Sequence, residues 1–435
     1  MNFLILTLNA WNSTSSTGNT ISNLFSKMKK SDDIANIYCR NEIIDNSLCK
    51  KYFRVTEKDI LHHLLSPNHC GLEINKYGTD VTEYSSNGLI HSCKYDFLRK
   101  HRFVFLLLIR EAIWLIPVWK NMRLRSFLSD FRPDIIYMHG HNNLYMHRLL
   151  DYCAKKTNAK IVLFWGDDMY GRKSRMPLAY IYESMLRKQY RKSINNASLL
   201  FGGSIKLCNE YSSIFAKPFF PLFKECKKVG YDKDKIVDFP LTIVYAGNLL
   251  FGREKVMMEF VKIVSYLNAS GLDSRFIFKI YSNTNPSSKF LSLLSNSKGT
   301  FFKGKKSYDE ICKEMDSADL VLFIESFDKK NIRMTRLSFS TKIIDYMQST
   351  SAILAVGPSE IASIDYLSKN SIGFIIHDMS VMESKMKYLA EHPEIIYKLN
   401  QRKAEFATKY HTNTSTKALA QIRRINYEES NNCTE

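Results

Sequence analysis

Between Leu241 and Asp378 six short apolar runs alternate with five amphipathic stretches, and this alternation restricts the fold more than any other feature of the chain. The runs LTIVYAGN, RFIFKIYSN, GTFFKGK, DLVLFIES, SAILAVGP and SIGFIIHD are rich in Val, Ile, Leu and Phe. A strand that is apolar on both sides must be covered on both faces, which is the condition of a parallel sheet. The segments between them, REKVMMEFVKIVSYLNASG, SSKFLSLLSN, SYDEICKEMDSA, STKIIDYMQS and SEIASIDYLSKN, carry apolar residues at helical spacing. Strands and helices alternating in this way predict a doubly wound, Rossmann-type domain.

The first half repeats the theme with longer interruptions. FLILTLN, DIANIYC, PDIIYMHG, AKIVLFWGD and ASLLFGGS read as strands, with helices at GNTISNLFSKMKK, NLYMHRLLDYCAKKTN and PLAYIYESMLRKQYRKSIN. A chain of 435 residues exceeds one ordinary core. The expected fold is α/β, with one Rossmann-like domain over residues 1–228 and another over 238–392, facing across a cleft. Polar helices over 393–425 are expected to pack back toward the first domain, and the charged stretch Lys224–Pro240 to form the hinge. Ligands of open α/β sheets bind beyond the carboxyl ends of the strands, so the chemistry is sought there.

Charge and cysteine content narrow the class. The net charge is +19, and residues 1–230 hold 34 Lys and Arg against 19 Asp and Glu. Such an excess implies an anionic partner: nucleic acid, a phospholipid surface or a phosphorylated substrate. Nine cysteines without a CxxC pair argue against a zinc site or a disulfide framework and for a reducing compartment. The opening MNFLILTLNAW has no basic flank and no small-residue cleavage site. It reads as a first buried strand, and the expected address is the cytoplasm.

Three groups of residues carry candidate chemistry. In RLSFSTKIIDYMQSTSAILAVGP, Ser340 or Thr341 is expected to cap a helix opening at Lys342. The helix start and the Lys342 ammonium favour an anion there. Asp345 shares a face with Lys342 and can accept the hydroxyls of a ribose. The same spacing also suits a plain surface Lys–Asp pair. In IVYAGNLLFGREK, Gly247 and Asn248 turn away from a strand, and Arg253 and Lys255 open the next helix, a candidate diphosphate cradle. In the first half, His139 and His141 end one strand, and Asp167 and Asp168 end the next. Either aspartate could orient or deprotonate an acceptor hydroxyl, or cap the following helix. Gly18 and Asn19 are expected in a turn suited to an anionic acceptor or to donor phosphates. The only Asp-x-Asp, Asp232 and Asp234, lies among lysines, so no metal is expected.

IVYAGNLLFGREK, FKIYSN, FFKGKKSYDEICKEMDSADLVLF and SFSTKIIDYMQSTSAILAVGP together resemble the donor domain of GT-B glycosyltransferases. The likeness is to the GT4-like enzymes of bacterial surface polysaccharide assembly (O-antigen, lipopolysaccharide, capsule), and it covers about residues 240–390. It implies a nucleoside-diphosphate sugar as donor, no further cofactor and no bound metal. It also implies a diphosphate gripped by Arg253, Lys255 and Lys342, a ribose held by Asp345, and His139 near the donor sugar. Many such enzymes carry a Glu-x7-Glu pair; here Leu337 stands at the first position and Asp345 at the second.

The segment from Phe97 to Leu128 carries Arg99, Lys100, Arg102, Arg110, Lys120, Arg123 and Arg125 around an apolar run interrupted by Pro117. It is too short to span a bilayer and suits the plane of an anionic membrane, or else the charged face of a core helix. The expected function is therefore transfer of a sugar to a hydroxyl of a lipid-linked saccharide by a cytoplasmic enzyme peripheral to the membrane. The alternatives are a nucleotide-sugar epimerase of the same fold and a basic nucleic-acid-binding protein. Against the last, no nucleic-acid motif is present.

Overall fold

The computed structural model describes residues 1–12, 16–40, 44–65, 70–75, 104–171, 176–270 and 275–432. The chain forms two compact units, one of Met1–Leu222 with Ser415–Glu435 and one of Phe223–Thr414.

In the first unit the strands are β1 (Asn2–Thr7), β2 (Asp33–Tyr38), β3 (Lys51–Arg54), β4 (Leu72–Asn75), β5 (Ile135–His139), β6 (Lys160–Trp165), β7 (Leu199–Gly202) and β8 (Phe220–Pro221). They join in one sheet of order β4-β3-β2-β1-β5-β6-β7-β8. Only β4 runs antiparallel, as an edge beside β3. The order reverses between β1 and β5, so their carboxyl ends flank a crevice. Phe3, Ile5, Ile135, Tyr137 and Val162 are buried in one core with Trp11, Ile21 and Phe25.

The second unit has β9 (Leu241–Ala246), β10 (Phe276–Tyr281), β11 (Thr300–Gly304), β12 (Leu320–Ile324), β13 (Ala352–Val356) and β14 (Phe374–Ile376). Their order is β11-β10-β9-β12-β13-β14, parallel throughout. This is the doubly wound pattern expected from the apolar runs, with its reversal between β9 and β12. The continuous runs follow from it, because all five residues of β12 and of β13 are buried.

Three features depart from the sequence reading. First, the stretch Lys224–Pro240, expected as a hinge, belongs to the second unit. The Cys226 N–H donates to the His411 carbonyl at 2.8 Å, and the Lys235 ammonium donates to the Asp316 carbonyl at 2.9 Å. The Lys235 charge serves backbone carbonyls, a role that composition cannot distinguish from solvent exposure. Second, the terminal helices divide. The helix Glu394–His411 stays with the second unit, where Lys403, fully buried, donates to the Ser351 carbonyl at 2.6 Å. The helix Thr414–Asn432 lays Ala418, Leu419 and Ile422 into the core of the first unit. There Arg423 pairs with Asp32; although burial opposes it, hydrogen bonds from Arg423 and the N-terminal ammonium hold that carboxyl down to about 2. Third, Gly18 and Asn19 lie inside the helix Ser16–Phe25 and form no turn. The indole of buried Trp11 donates to the Gly18 carbonyl at 3.3 Å, which fixes the start of that helix. The strands β3 and β4 escaped the sequence reading because four-residue strands flanked by charge show no clear periodicity.

Candidate functional site

At the reversal of the second sheet, residues just past the ends of β9 and β12 converge. Arg253 opens the helix Arg253–Ala269, behind a Gly252 with φ of 77°. Its guanidinium is held on three sides. Nε donates to the Ile324 carbonyl at 3.2 Å, one terminal nitrogen donates to Asn248 Oδ1 at 3.0 Å, and the other meets Glu325 Oε1 at 2.8 Å. Glu325 is the first residue beyond β12 and is 3% exposed. Its Oε2 is fully enclosed and has no hydrogen-bond partner among the described residues. Burial pushes the Glu325 carboxyl up, and Arg253 pulls it back.

Lys342 reaches the same place from the helix Lys342–Gln348. Its Nζ comes so close to Gly247 that a Cβ built there would lie 1.7 Å away, so any side chain at this position would displace the ammonium. The ammonium stands 5.2 Å from the centre of the Tyr245 ring. Among the described residues it makes no ion pair. Burial first, then the Arg253 charge, brings Lys342 down to about 8, against the opposing pull of Glu325 and Asp345. Within this crevice Lys342 is thus a desolvated cation with open valence, whereas Arg253 is already neutralised.

Asp345 lies one turn further along. Lys224 Nζ donates to its Oδ1 at 2.9 Å and the Tyr308 hydroxyl donates to the same oxygen at 3.2 Å. The expected cap is absent: Thr341 occupies the N-cap position without a side-chain hydrogen bond. Ser340 instead bonds through its backbone, its N–H donating to Ser363 Oγ at 2.9 Å. Lys255 is solvent-exposed on its helix and makes no ion pair among the described residues. Of the expected cradle, Gly247, Asn248, Arg253 and Lys342 come together. Glu325, Lys224 and Tyr308 are functional candidates that the sequence reading missed. Glu325 had a signal: a lone acid directly after the five apolar residues of a central strand.

In the first unit, His139 ends β5 at the reversal point of its sheet. Its Nε2 lies 3.0 Å from the Tyr137 hydroxyl, and its ring is 4.7 Å from that of Phe164. Burial brings its pKa to about 3, so the ring is neutral near pH 7. His141, brought down to about 3 in the same way, has a fully enclosed Nε2 without a hydrogen-bond partner among the described residues. Asp167 is exposed. Asp168 is buried and turned onto its own loop, where its Oδ1 accepts from the Gly171 N–H at 2.8 Å and the Tyr211 hydroxyl at 3.1 Å. It fixes the turn, the structural one of the two kinds of role its position allowed. Of the basic residues in the segment from Phe97 to Leu128, Arg99, Lys100 and Arg102 lie outside the described residues. Among the described residues no group of three His, Cys, Asp or Glu is placed to hold a metal ion.

No protein-family model matches this chain, and no curated protein matches it in sequence. Solved structures do match over nearly the whole length. HepE of Anabaena, in complex with UDP and glucose, aligns with a TM-score of 0.60 at 10% identity, covering 98% of this chain and 99% of that one. Sucrose-phosphate synthase from Thermosynechococcus elongatus aligns with a TM-score of 0.59 at 10% identity, covering 98% and 99%. WaaG, a glycosyltransferase involved in lipopolysaccharide biosynthesis, aligns with a TM-score of 0.54 at 10% identity, covering 96% and 98%. These likenesses establish the fold, which is that of the GT-B class: two Rossmann-like α/β units.

The Arg253–Glu325 pair is buried enough for its loss to be measurable. Glu325→Leu leaves the guanidinium uncompensated and is expected to lower unfolding stability by about 3 kcal/mol. Adding Arg253→Met to that variant should recover part of the loss. Additive losses in denaturant melts would show that the two side chains act independently.

Proposed function

We propose that this protein is a glycosyltransferase that moves a sugar from a nucleoside diphosphate, of the UDP class, to a hydroxyl acceptor. The observation that carries this reading is Lys342: a desolvated, unpaired ammonium held against a glycine at the reversal point of a doubly wound sheet. A preorganised cation in a water-poor crevice stabilises negative charge far more than one in solvent. In sugar transfer that charge develops on the departing diphosphate as the bond from the anomeric carbon to the phosphate oxygen breaks. Asp345, one turn along the same helix, takes the ribose. The likeness in fold to HepE, which was solved with UDP and glucose, supports the choice of nucleotide.

The roles differ from those the sequence suggested. Arg253 fixes the loop carrying Asn248 and supplies little free charge, because Glu325 cancels it. The diphosphate therefore depends chiefly on Lys342. In the first unit, His139 is a neutral imidazole at the crevice of its own sheet; its Nε2 is engaged by the Tyr137 hydroxyl, which leaves Nδ1 to meet a sugar hydroxyl.

Thermal shift with UDP-, GDP-, dTDP- and CMP-sugars tests the donor. Stabilisation by the UDP class, lost in Lys342→Ala while the unliganded melting temperature is kept, is the expected result. No shift with any of them, or an equal shift in the variant, would contradict it. Turnover of the donor without any acceptor would identify an epimerase.

We further propose that the acceptor is a lipid-linked saccharide of surface polysaccharide assembly, met by the enzyme at the inner face of the membrane. The support lies in the first unit, where Phe105 is 62% exposed, Leu115 63% and Met122 71%, close in sequence to Lys120, Arg123 and Arg125. Apolar side chains beside cations suit an anionic bilayer surface. No helix among the described residues is long and apolar enough to cross a membrane. Co-sedimentation with phosphatidylglycerol vesicles should fall at least several-fold in a Phe105→Ser, Leu115→Ser variant. Unchanged binding by that variant, or none by the wild type, would remove this part of the reading.

A further inference from the structure

The carboxylate of Asp345 is engaged on one side only. Lys224 Nζ and the Tyr308 hydroxyl both donate to Oδ1, at 2.9 and 3.2 Å. Oδ2 has no hydrogen-bond partner among the described residues and is not enclosed. Lys224 itself is 10% exposed and Asp345 19%, so this is no solvated surface pair. From these contacts we propose that Lys224 is a positioning residue: it clamps the Asp345 carboxylate through Oδ1 so that Oδ2 is presented to a ribose hydroxyl. This rests on the reading of Asp345 as the ribose acceptor.

The placement of Lys224 is fixed from both sides. The chain enters the second unit at Phe223, whose ring sits 4.8 Å from Phe339 and 5.3 Å from Tyr366. Two residues beyond Lys224, the Cys226 N–H donates to the His411 carbonyl at 2.8 Å. The Lys227 N–H then donates to Gln348 Oε1 at 2.8 Å, at the far end of the helix that carries Asp345. The segment 223–227 is thus pinned along that helix, and the Lys224 side chain loses little further freedom on meeting the carboxylate. Charge-assisted bonds onto one oxygen fix the plane of the carboxylate. A group held in this way binds a hydroxyl without first having to be ordered. A blocking role would require Lys224 or Tyr308 to occupy Oδ2, and neither does.

Ribose discrimination provides the test. Isothermal titration compares UDP with 2′-deoxy-UDP and 3′-deoxy-UDP on the wild type, Lys224→Met, Lys224→Arg and Tyr308→Phe. In the wild type, loss of the recognised hydroxyl is expected to weaken binding about tenfold, as for a hydrogen bond to a charged group. In Lys224→Met that ratio should fall below about threefold. The loss should come from weaker UDP binding, with the deoxy analogue little changed, and Lys224→Arg should restore most of it. In turnover the donor KM should rise with kcat kept. Tyr308 is 58% exposed, so Tyr308→Phe removes one donor without threatening the fold and should give an intermediate ratio. If Lys224→Met does not fold, an unchanged ratio in Tyr308→Phe overturns the proposal. A wild-type ratio kept in Lys224→Met, or tighter UDP binding by that variant, would also overturn it and leave the donor reading intact. Absence of UDP binding by the wild type would overturn both.

Discussion

The carboxyl edge of the second sheet is organised by one buried carboxylate. Glu325 projects from the end of β12 and holds Arg253, which in turn holds Asn248 and the end of β12 itself. Without that anion a guanidinium would be left almost out of water, at a cost of several kcal/mol. With it, the loop from Gly247 to Gly252 is tied across the reversal point of the sheet. The tie also sets the charge balance, since a neutralised Arg253 leaves Lys342 as the group whose charge is unspent in this crevice.

That balance gives the proposed chemistry its form. A lysine brought to about 8 by burial is poised between its two states near neutral pH, and an anion placed beside it favours the charged one. The helix that supplies Lys342 also supplies Asp345, so phosphate and ribose would be read by a single short element, Lys342–Gln348. Its buried face, formed by Ile343, Ile344, Tyr346 and Met347, anchors it in a core shared with Val321, Phe323 and Ile353. The binding residues are therefore carried on a rigid support and not on a free loop.

Much of this was legible in the sequence, for an identifiable reason. Strands buried on both faces, such as β12 and β13, write themselves as continuous apolar runs; the edge strand β11, half open to solvent, was still read from its paired Phe residues, and the alternation of strands with helices pointed to the doubly wound class. Lys342 and Asp345 stood out through the motif they share with GT-B donor domains, although their spacing alone also suits a plain helical Lys–Asp pair. What stayed hidden were contacts between residues distant in sequence. Lys224 looked like part of a charged linker, although it lies 121 residues from the Asp345 it touches in space. Arg253 read as a free cation because its partner stands 72 residues on. Asp168 stayed open between serving an acceptor and a structural cap because composition does not reveal which way a carboxylate turns. The division of the terminal helices between the two units was hidden for the same reason, since helical periodicity shows an apolar face and not what it meets.

The central claim is that Lys342 is the free cation meeting a diphosphate, and its protonation reports this directly. Isothermal titration of UDP at pH 8.5 or so, in buffers of differing ionisation enthalpy, counts the protons exchanged on binding. With Lys342 near 8 in the free protein, an anion that raises its pKa must draw a proton from the buffer there. Affinity should then be full below about 8 and decline as the pH rises beyond it. The account predicts net uptake of up to about three-quarters of a proton, abolished in Lys342→Met together with most of the affinity. Tight UDP binding with no proton exchange, or with uptake unchanged in the variant, would contradict it.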